Sequence, residues 1–436
     1  MSRRFVTRAL AWLRAGSPLL AVPLAAALLL PAPALAQVLT LREAVERATR
    51  THPSVVAAQL GVEQAVEAQR EARKGMSPGL SLSGGINRSD TAGLIRPSTP
   101  AMGPYGFQMQ LSAVQPIYDA QRTASAVRLA DLAERLAEVE RIGTRRRLAY
   151  ETALAYFSVL QAESMRDAAR INVEQAKEQL SIAELRSQGQ VGTRLEVLQA
   201  EASVAIAQEG YVQELNQLFV SRRNLESLLG ESLADVRLDV LTQLKELDYD
   251  PGQIARALEA RPEVAQAILS RESQAETVRL RARATWPTLN ALGDVAALPG
   301  GGTQQTVAAS LAWNFFDSGR ADAQVAQARL GVERAEAVLA ATRRTAALEV
   351  QTTAQGLQAA QERVAIAKQG LQAAIEGLKL AKVRFNAGVG TGLEVTSALS
   401  YLSQAQSAYI QGIYSVTTFQ LRLAQALGLD LEELLP

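Results

Sequence analysis

Two stretches of the chain alternate apolar and polar residues with a period of two. In the first, Phe107, Met109, Leu111 and Ala113 alternate with Gln108, Gln110 and Ser112. In the second, Val307, Ala309, Leu311, Trp313 and Phe315 alternate with Ala308, Ser310, Ala312 and Asn314. Successive side chains on a strand point to opposite faces, so this spacing predicts strands with different faces. Each has a shorter partner upstream: Leu80, Leu82 and Ile86 alternate with Ser81 and Ser83, and a weaker run lies near Leu289 to Leu298. Gly-, Pro-, Ser- and Thr-rich stretches, Asp90 to Gly106 and Pro299 to Gln305, separate the members of each pair as loops.

The rest of the pattern is helical. Leu41 to about Gly75 is broken at Thr51-His52-Pro53, where proline ends one helix and starts the next, and His52 is a boundary residue. Asp119 to about Ser187 contains no proline and is rich in Ala, Leu, Glu, Arg and Gln. Roughly 70 residues at ~1.5 Å rise make a rod of about 105 Å. Further helices are expected over Leu195 to Leu229, Pro262 to about Ala284, Asp317 to about Phe385 and Leu393 to Leu427. Leu129, Leu132, Leu136 and Val139 step 3, 4, 3, and Val325, Ala328, Val332, Ala335 and Leu339 step 3, 4, 3, 4. This is the spacing of a knobs-into-holes seam. Rods of this length cannot fold into a ball, so they pack side by side as a wall.

The pattern occurs twice. Val191-Gly192-Thr193-Arg194-Leu195-Glu196-Val197 returns as Val389-Gly390-Thr391-Gly392-Leu393-Glu394-Val395, an offset of 198. Asp119-Ala120-Gln121-Arg122 corresponds to Asp317-Ser318-Gly319-Arg320 at the same offset, and Leu229-Gly230 to Leu427-Gly428. Upstream the offset is 209, with Pro78-Gly79-Leu80 against Pro287-Thr288-Leu289 and His52-Pro53 against Arg261-Pro262. The first copy therefore carries 11 extra residues between Leu80 and Asp119, where an exposed loop tip tolerates them. Tight turns between long helices, made twice, define two internal structural repeats. Asp119 and Asp317 read as caps at the passages from strand to helix.

The N-terminus adds an address. Arg3, Arg4, Arg8 and Arg14, an apolar run from Leu19 to Leu30, and Ala34-Leu35-Ala36 before Gln37 fit a cleavable export signal over 1–36. The expected organisation is then repeat 1 over 37–230, with a strand pair at about 80–118 and a tip at 189–194. A linker or equatorial segment covers 231–261; repeat 2 covers 262–436, with strands at about 289–316 and a tip at 387–392. Without the signal, 41 basic residues stand against 44 acidic ones, which argues against a nucleic-acid partner. With no cysteine and the single histidine His52, neither a cofactor, a metal site nor a catalytic residue is expected, and the chain is not read as an enzyme.

Period-two strands fit a soluble sheet with one wet face as well as a transmembrane sheet. The export signal and the rods favour the membrane, and Trp313, Phe315, Phe316, Tyr118 and Tyr105 near strand ends resemble an interfacial aromatic girdle. Four strands cannot close a barrel, since about eight are needed. A closed ring of identical chains must therefore share one, and three chains supply 12 strands.

Signal, duplicated helical units, two strand pairs and the repeated Val-Gly-Thr-x-Leu-Glu-Val turns together resemble the TolC family of outer membrane efflux proteins. The resemblance covers essentially the whole mature chain. It implies a mostly α fold with a transmembrane β portion: a homotrimer whose 12-stranded barrel sits in outer membrane lipid of a Gram-negative bacterium above a coiled-coil periplasmic tunnel. Such a duct docks to a periplasmic adaptor (membrane fusion) protein and an inner-membrane pump or ABC transporter, in efflux or type I secretion. The resemblance also places adaptor contacts at Val191, Gly192, Thr193, Leu195, Val389, Gly390, Thr391 and Leu393. Glycine there would supply special backbone angles and Thr would cap the next helix. Glu196 and Glu394 fall where the family lines the tunnel entrance, and a ring of such acids favours cations; a solvated acid in the first helical turn is the alternative. Some members lock the entrance with an arginine and a tyrosine in the second turn, where this chain has Gly392 and Ala387. An exported periplasmic coiled-coil scaffold, or the adaptor itself, is the alternative function.

Overall fold

The computed structural model describes residues 38–88, 105–233, 236–240, 258–298 and 302–434. The export signal over 1–36, most of the surplus loop before Tyr105, and much of the 231–261 segment lie outside the described residues.

After a two-residue strand β1 (Val38–Leu39) come α1 (Leu41–Thr51) and α2 (Pro53–Arg73). Thr40 and Glu43 form a capping box on α1, and the His52 ring nitrogen accepts the Ser54 amide at 3.2 Å to start α2. Strands β2 (Gly79–Arg88) and β3 (Tyr105–Tyr118) follow, then the 67-residue α3 (Arg122–Gln188) and α4 (Arg194–Leu229). A second two-residue strand, β4 (Arg237–Leu238), lies between the repeats. Repeat 2 supplies α5 (Pro262–Ala282), β5 (Thr288–Leu298), β6 (Gly302–Ala312), the 67-residue α6 (Arg320–Asn386) and α7 (Gly392–Ala426). Equal lengths of α3 and α6 confirm the repeat at helix level, and at ~1.5 Å rise each is about 100 Å long.

One antiparallel sheet holds all four long strands in the order β2-β3-β5-β6. The pairing Leu82↔Leu111 in the first hairpin becomes Ala291↔Ala309 in the second, which the offsets of 209 and 198 require. Between the hairpins β3 pairs with β5, as in Leu111↔Val295, with a register shift at Pro116/Tyr118. This pairing puts Leu80, Leu82, Leu111, Val295, Val307 and Leu311 on one face. Ser81, Ser83, Gln110, Ser112, Asp294 and Thr306 fall on the other, where Ser81 and Ser112 hydroxyls meet at 2.7 Å and Gln110 donates to Asp294 at 3.3 Å. Strands of 10 to 14 residues suit a tilted passage through a bilayer. Among the described residues no helix is long and apolar enough to cross a membrane.

Each passage from sheet to rod is strained and then compensated. Ala120, Gln121 and Ser318 hold φ near +60°, with Gly319 at +83°. A left-handed non-glycine residue costs about 1 kcal/mol. Against that, Asp119 accepts the Thr123 amide at 2.6 Å, and Asp317 accepts those of Gly319 and Ala321 at 3.1 and 2.9 Å. The aspartates thus do satisfy first-turn donors, but from ahead of the N-cap positions Gln121 and Gly319. Burial acts to raise the Asp119 carboxyl, and its bonds to Thr123 outweigh that, holding it below the ordinary value.

The main core is a belt around the middle of the rods. Leu41, Ala44, Val45 and Ala48 of α1 pack on Leu148 to Ala162 of α3, with Leu225 and Leu229 of α4 and Leu421 and Ala424 of α7. β1 pairs in parallel with β4, and the fully buried Tyr156 hydroxyl lies 2.9 and 2.7 Å from the Leu39 and Asp239 carbonyls. Burial is the first cause that pushes this phenol well above its ordinary pKa, so it stays a donor. Tyr156→Phe removes that donor and leaves the buried Leu39 carbonyl with the Asp239 amide alone, at a cost of about 1 kcal/mol. A lowered thermal midpoint by circular dichroism at 222 nm is the expected outcome; an unchanged midpoint would free the belt from this bond.

Candidate functional site

At the end of the rods opposite the sheet, α3 turns into α4 and α6 into α7. Both turns are built alike. The amides of Val191 and Gly192 both donate to the Arg186 carbonyl, at 3.0 and 2.9 Å, and those of Val389 and Gly390 to the Arg384 carbonyl, at 3.1 and 3.0 Å. These bonds occupy carbonyls that a helix end otherwise leaves bare. The left-handed residues are Gln190 (φ +60°) and Gly388 (φ +75°).

Gly192 and Gly390 therefore do not supply the special backbone angles expected of them. Their role is proximity. A Cβ on Gly192 would lie 3.0 Å from Arg186 Cβ and 3.1 Å from its carbonyl carbon; on Gly390 it would lie 3.0 Å from Arg384 Cβ and from the Phe385 nitrogen. A Cβ there would make the last helical turn give by a few tenths of an ångström. Thr193 and Thr391 cap as expected, each hydroxyl accepting the amide three residues on, from Glu196 and Glu394, at 3.3 Å. Around these turns Val191, Leu195, Val389 and Leu393 stand in solvent, with Val191 73% and Val389 71% exposed. Four large apolar side chains at a free end form the kind of patch that marks a contact surface.

The two acids have different surroundings. Glu196 is half-buried and completes a capping box by accepting the Thr193 amide at 3.3 Å. Its Cγ would be 3.4 Å from a Cβ on Gly392, so the start of α7 nests on this glutamate's stem. Glu394 is exposed and sits 3.4 Å from Arg384 Nε. The tips are also joined by a contact that the sequence pattern does not announce. Arg186 Nη1 donates to the Phe385 carbonyl at 2.9 Å, and its guanidinium lies 4.3 Å from the centroid of the buried Phe385 ring. The available signal was a mismatch between repeats: Arg186 matches Arg384, yet Phe385 matches Ser187.

At the sheet end Trp313 donates from its indole to the Thr285 carbonyl at 3.1 Å, and its ring is 5.9 Å from that of Phe315. Phe315, Phe316, Tyr118 and Trp286 are all exposed beside it. Trp286 belongs to this aromatic band although it stands outside the alternating runs. Among the described residues no group of acids and histidine is placed to hold a metal ion.

A sequence model of the outer membrane efflux protein family matches residues 44–231 and 253–429. The chain belongs to that family. Its fold is similar to that of the outer membrane protein VceC of Vibrio cholerae, at 20% identity and a TM-score of 0.77, covering 89% of this chain and 96% of that one. It is also similar to the CmeC outer membrane channel of Campylobacter jejuni (19%, TM-score 0.79, 89% and 85% covered). The open state of the MtrE outer membrane channel of Neisseria gonorrhoeae is a third (18%, TM-score 0.76, 90% and 90%). No curated protein matches the sequence. The mostly α fold with a membrane-spanning sheet and the outer membrane location follow, and the reading as a periplasmic scaffold or adaptor falls away.

Proximity and strain make opposite predictions for the two kinds of tip position. Gly390→Ala should raise protease cleavage between Asn386 and Leu393 severalfold, because the added methyl crowds the Arg384 side chain and the Phe385 backbone. Gln190→Gly should lower cleavage at the first tip by removing a left-handed side chain. Equal cleavage rates in all three proteins would show that neither effect governs the turns.

Proposed function

We propose that three copies of this chain close into a passive exit duct, a barrel in the outer membrane continued by a periplasmic tunnel whose tips dock to an adaptor. The observation that carries this reading is the sheet. It has one apolar face, one polar face, and two edges, β2 and β6, that no strand among the described residues covers. An open edge is not tolerated in lipid, so neighbouring chains must cover both. Energy comes from an inner-membrane pump or ABC transporter, with the adaptor between pump and duct.

The exposed Val191, Leu195, Val389 and Leu393 support adaptor contact at the tips, and the tight turns at Gly192 and Gly390 present them. Thr193 and Thr391 fix the turns by capping. Glu196 and Glu394 lie in the first turns of the two returning helices, where threefold repetition gathers carboxylates at the entrance.

The double variant Gly192→Val with Gly390→Val is expected to abolish export in cells while trimers stay in the outer membrane. Unchanged export would remove the tips from docking. Separately, Glu394→Lys should reduce cation preference in planar bilayers, read as a shift of reversal potential; no shift would take Glu394 off the conduction path.

A further inference from the structure

Trp286 and Trp313 stand where the fold does not need a ring. The Trp313 indole ties the end of β6 to the start of β5 through the Thr285 carbonyl, at 3.1 Å. Repeat 1 makes the same strut with an amide: Gln115, the equivalent of Trp313, donates to the carbonyl of Met76, the equivalent of Thr285, at 2.8 Å. The neighbouring rings are also confined to repeat 2, where Trp286 and Phe315 stand in place of Ser77 and Ile117. A glutamine meets the structural need, so the rings serve something else. Together with Thr285, Pro287 and Asn314 they line an open pocket of about 400 Å³. Trp313 and Phe315 continue the alternation that puts Val307 and Leu311 on the apolar face, so the pocket opens outward, away from the lumen. Neither the Thr285 hydroxyl nor the Asn314 amide has a partner among the described residues, which leaves hydrogen-bond donors inside an aromatic frame.

The charge beside the pocket belongs to repeat 2 as well. α5 runs out through Arg279, Arg281 and Arg283. Arg279 is held by Glu276 at 2.9 Å, and Arg283 by Ser125 Oγ at 3.2 Å. Arg281 is exposed, has no side-chain partner among the described residues, and replaces Ala72 of repeat 1. It follows Gln274 by seven residues, and Gln274 Oε1 would lie 2.9 Å from a Cβ on Gly331 of α6. Positions seven apart share a helix face, so Arg281 stands on the flank of α5 that meets the start of α6, below the pocket. Residues 70–74, 119–122, 279–283 and 317–322, which ring the ends of the strands, hold eight basic residues against four acidic ones. Two of those acids, Asp119 and Asp317, are taken up by first-turn amides, leaving Glu71 and Asp322. The mature chain as a whole has an acidic excess, so this collar is a local concentration of positive charge.

We propose that this pocket binds the headgroup of an anionic phospholipid of the periplasmic leaflet, its phosphate against Arg281 and its glycerol backbone against Trp286 and Trp313. This rests on the reading as a duct whose sheet lies in lipid. The rods are on the periplasmic side, and the leaflet that meets them in an outer membrane is made of phospholipid. Indoles settle at headgroup depth because one edge is polar and the body is apolar. A guanidinium pairs with a phosphate through parallel N–H donors, and a juxtamembrane cluster of cations draws anionic lipid to it. A zwitterionic headgroup brings an ammonium that the collar repels, so the site selects for net negative charge. Repeat 1 has neither the rings nor the extra arginine, which makes one site per chain. Each site then fixes the depth at which the strands sit in the bilayer.

Trp286 and Trp313 are the only tryptophans after residue 36, so intrinsic fluorescence of the processed protein reads this pocket alone. The protein is purified from outer membranes and placed in phosphatidylcholine bilayers doped with phosphatidylglycerol brominated near the headgroup end of its acyl chains. Quenching should be severalfold stronger than with the same fraction of brominated phosphatidylcholine. Arg281→Gln should erase that difference, whereas Arg73→Gln, the same loss of charge on repeat 1, should leave it in place. Trp313→Gln, which carries the strut of repeat 1, should lower the preference that Trp286 still reports. Equal quenching by the two lipids, or a preference that survives Arg281→Gln, would overturn the site. Equal losses in Arg281→Gln and Arg73→Gln would assign the preference to the bulk charge of the collar and overturn it too, and a full preference in Trp313→Gln would remove the rings from it. Loss of the preference on adding inorganic phosphate would reassign the pocket to a soluble anion. No quenching by either lipid would instead put the aromatic band outside the bilayer and sink the duct reading itself.

Discussion

A peptide group cannot sit unpaired in hydrocarbon, and that constraint shapes this molecule more than any residue preference. Each unmet backbone donor or acceptor in lipid costs several kcal/mol. A sheet of four strands with one apolar face is therefore incomplete on its own: β3 and β5 are covered on both sides, and β2 and β6 on one. Closure of the ring follows from the same rule that pairs the strands inside the chain. The position of the helices follows in turn, because every strand end feeds a rod and the circle of strands sets the circle of rods below.

Between sheet and tip the rods need a lateral tie, since long helices of modest apolarity hold together weakly over any one turn. The belt around Tyr156 provides it. There α1, α3, α4, α7 and both two-residue strands meet in one core, and a single phenol ties β1 to the residue that follows β4. With the sheet at one end and the belt at the waist, the tips are where small side-chain differences set the two repeats apart. Gly392, buried against Glu196, is one such difference, and Phe385 under Arg186 is another.

The long-range plan was legible in the chain because it is periodic and duplicated. Period-two runs located the strands, the proline-free run from Asp119 located the first rod, and the offsets of 198 and 209 carry over into the observed register of both hairpins. The belt was not legible: β1 and β4 are two residues each and nearly 200 positions apart, too short for any period to show. Nor was the reason for Gly192 and Gly390. A glycine serves either an unusual φ or a close approach, and the letter alone does not separate these. The structure does: Gln190 takes the left-handed angle, its strain offset by amides donating to the Arg186 carbonyl, while Gly192 clears that same backbone. Arg186 and Phe385 lie 199 positions apart, and no local pattern joins a cation to a ring at that separation.

Tandem duplication has a kinetic consequence. In the three-chain duct proposed above, with six quasi-equivalent hairpins per cylinder but two on each polypeptide, half of the joints form intramolecularly, at the millimolar effective concentrations that tethering gives. Only the remaining joints depend on encounters between chains, so the order of the assembly reaction is halved. Newly exported chains can then complete rings while dilute, before their bare strand edges find each other in unproductive aggregates.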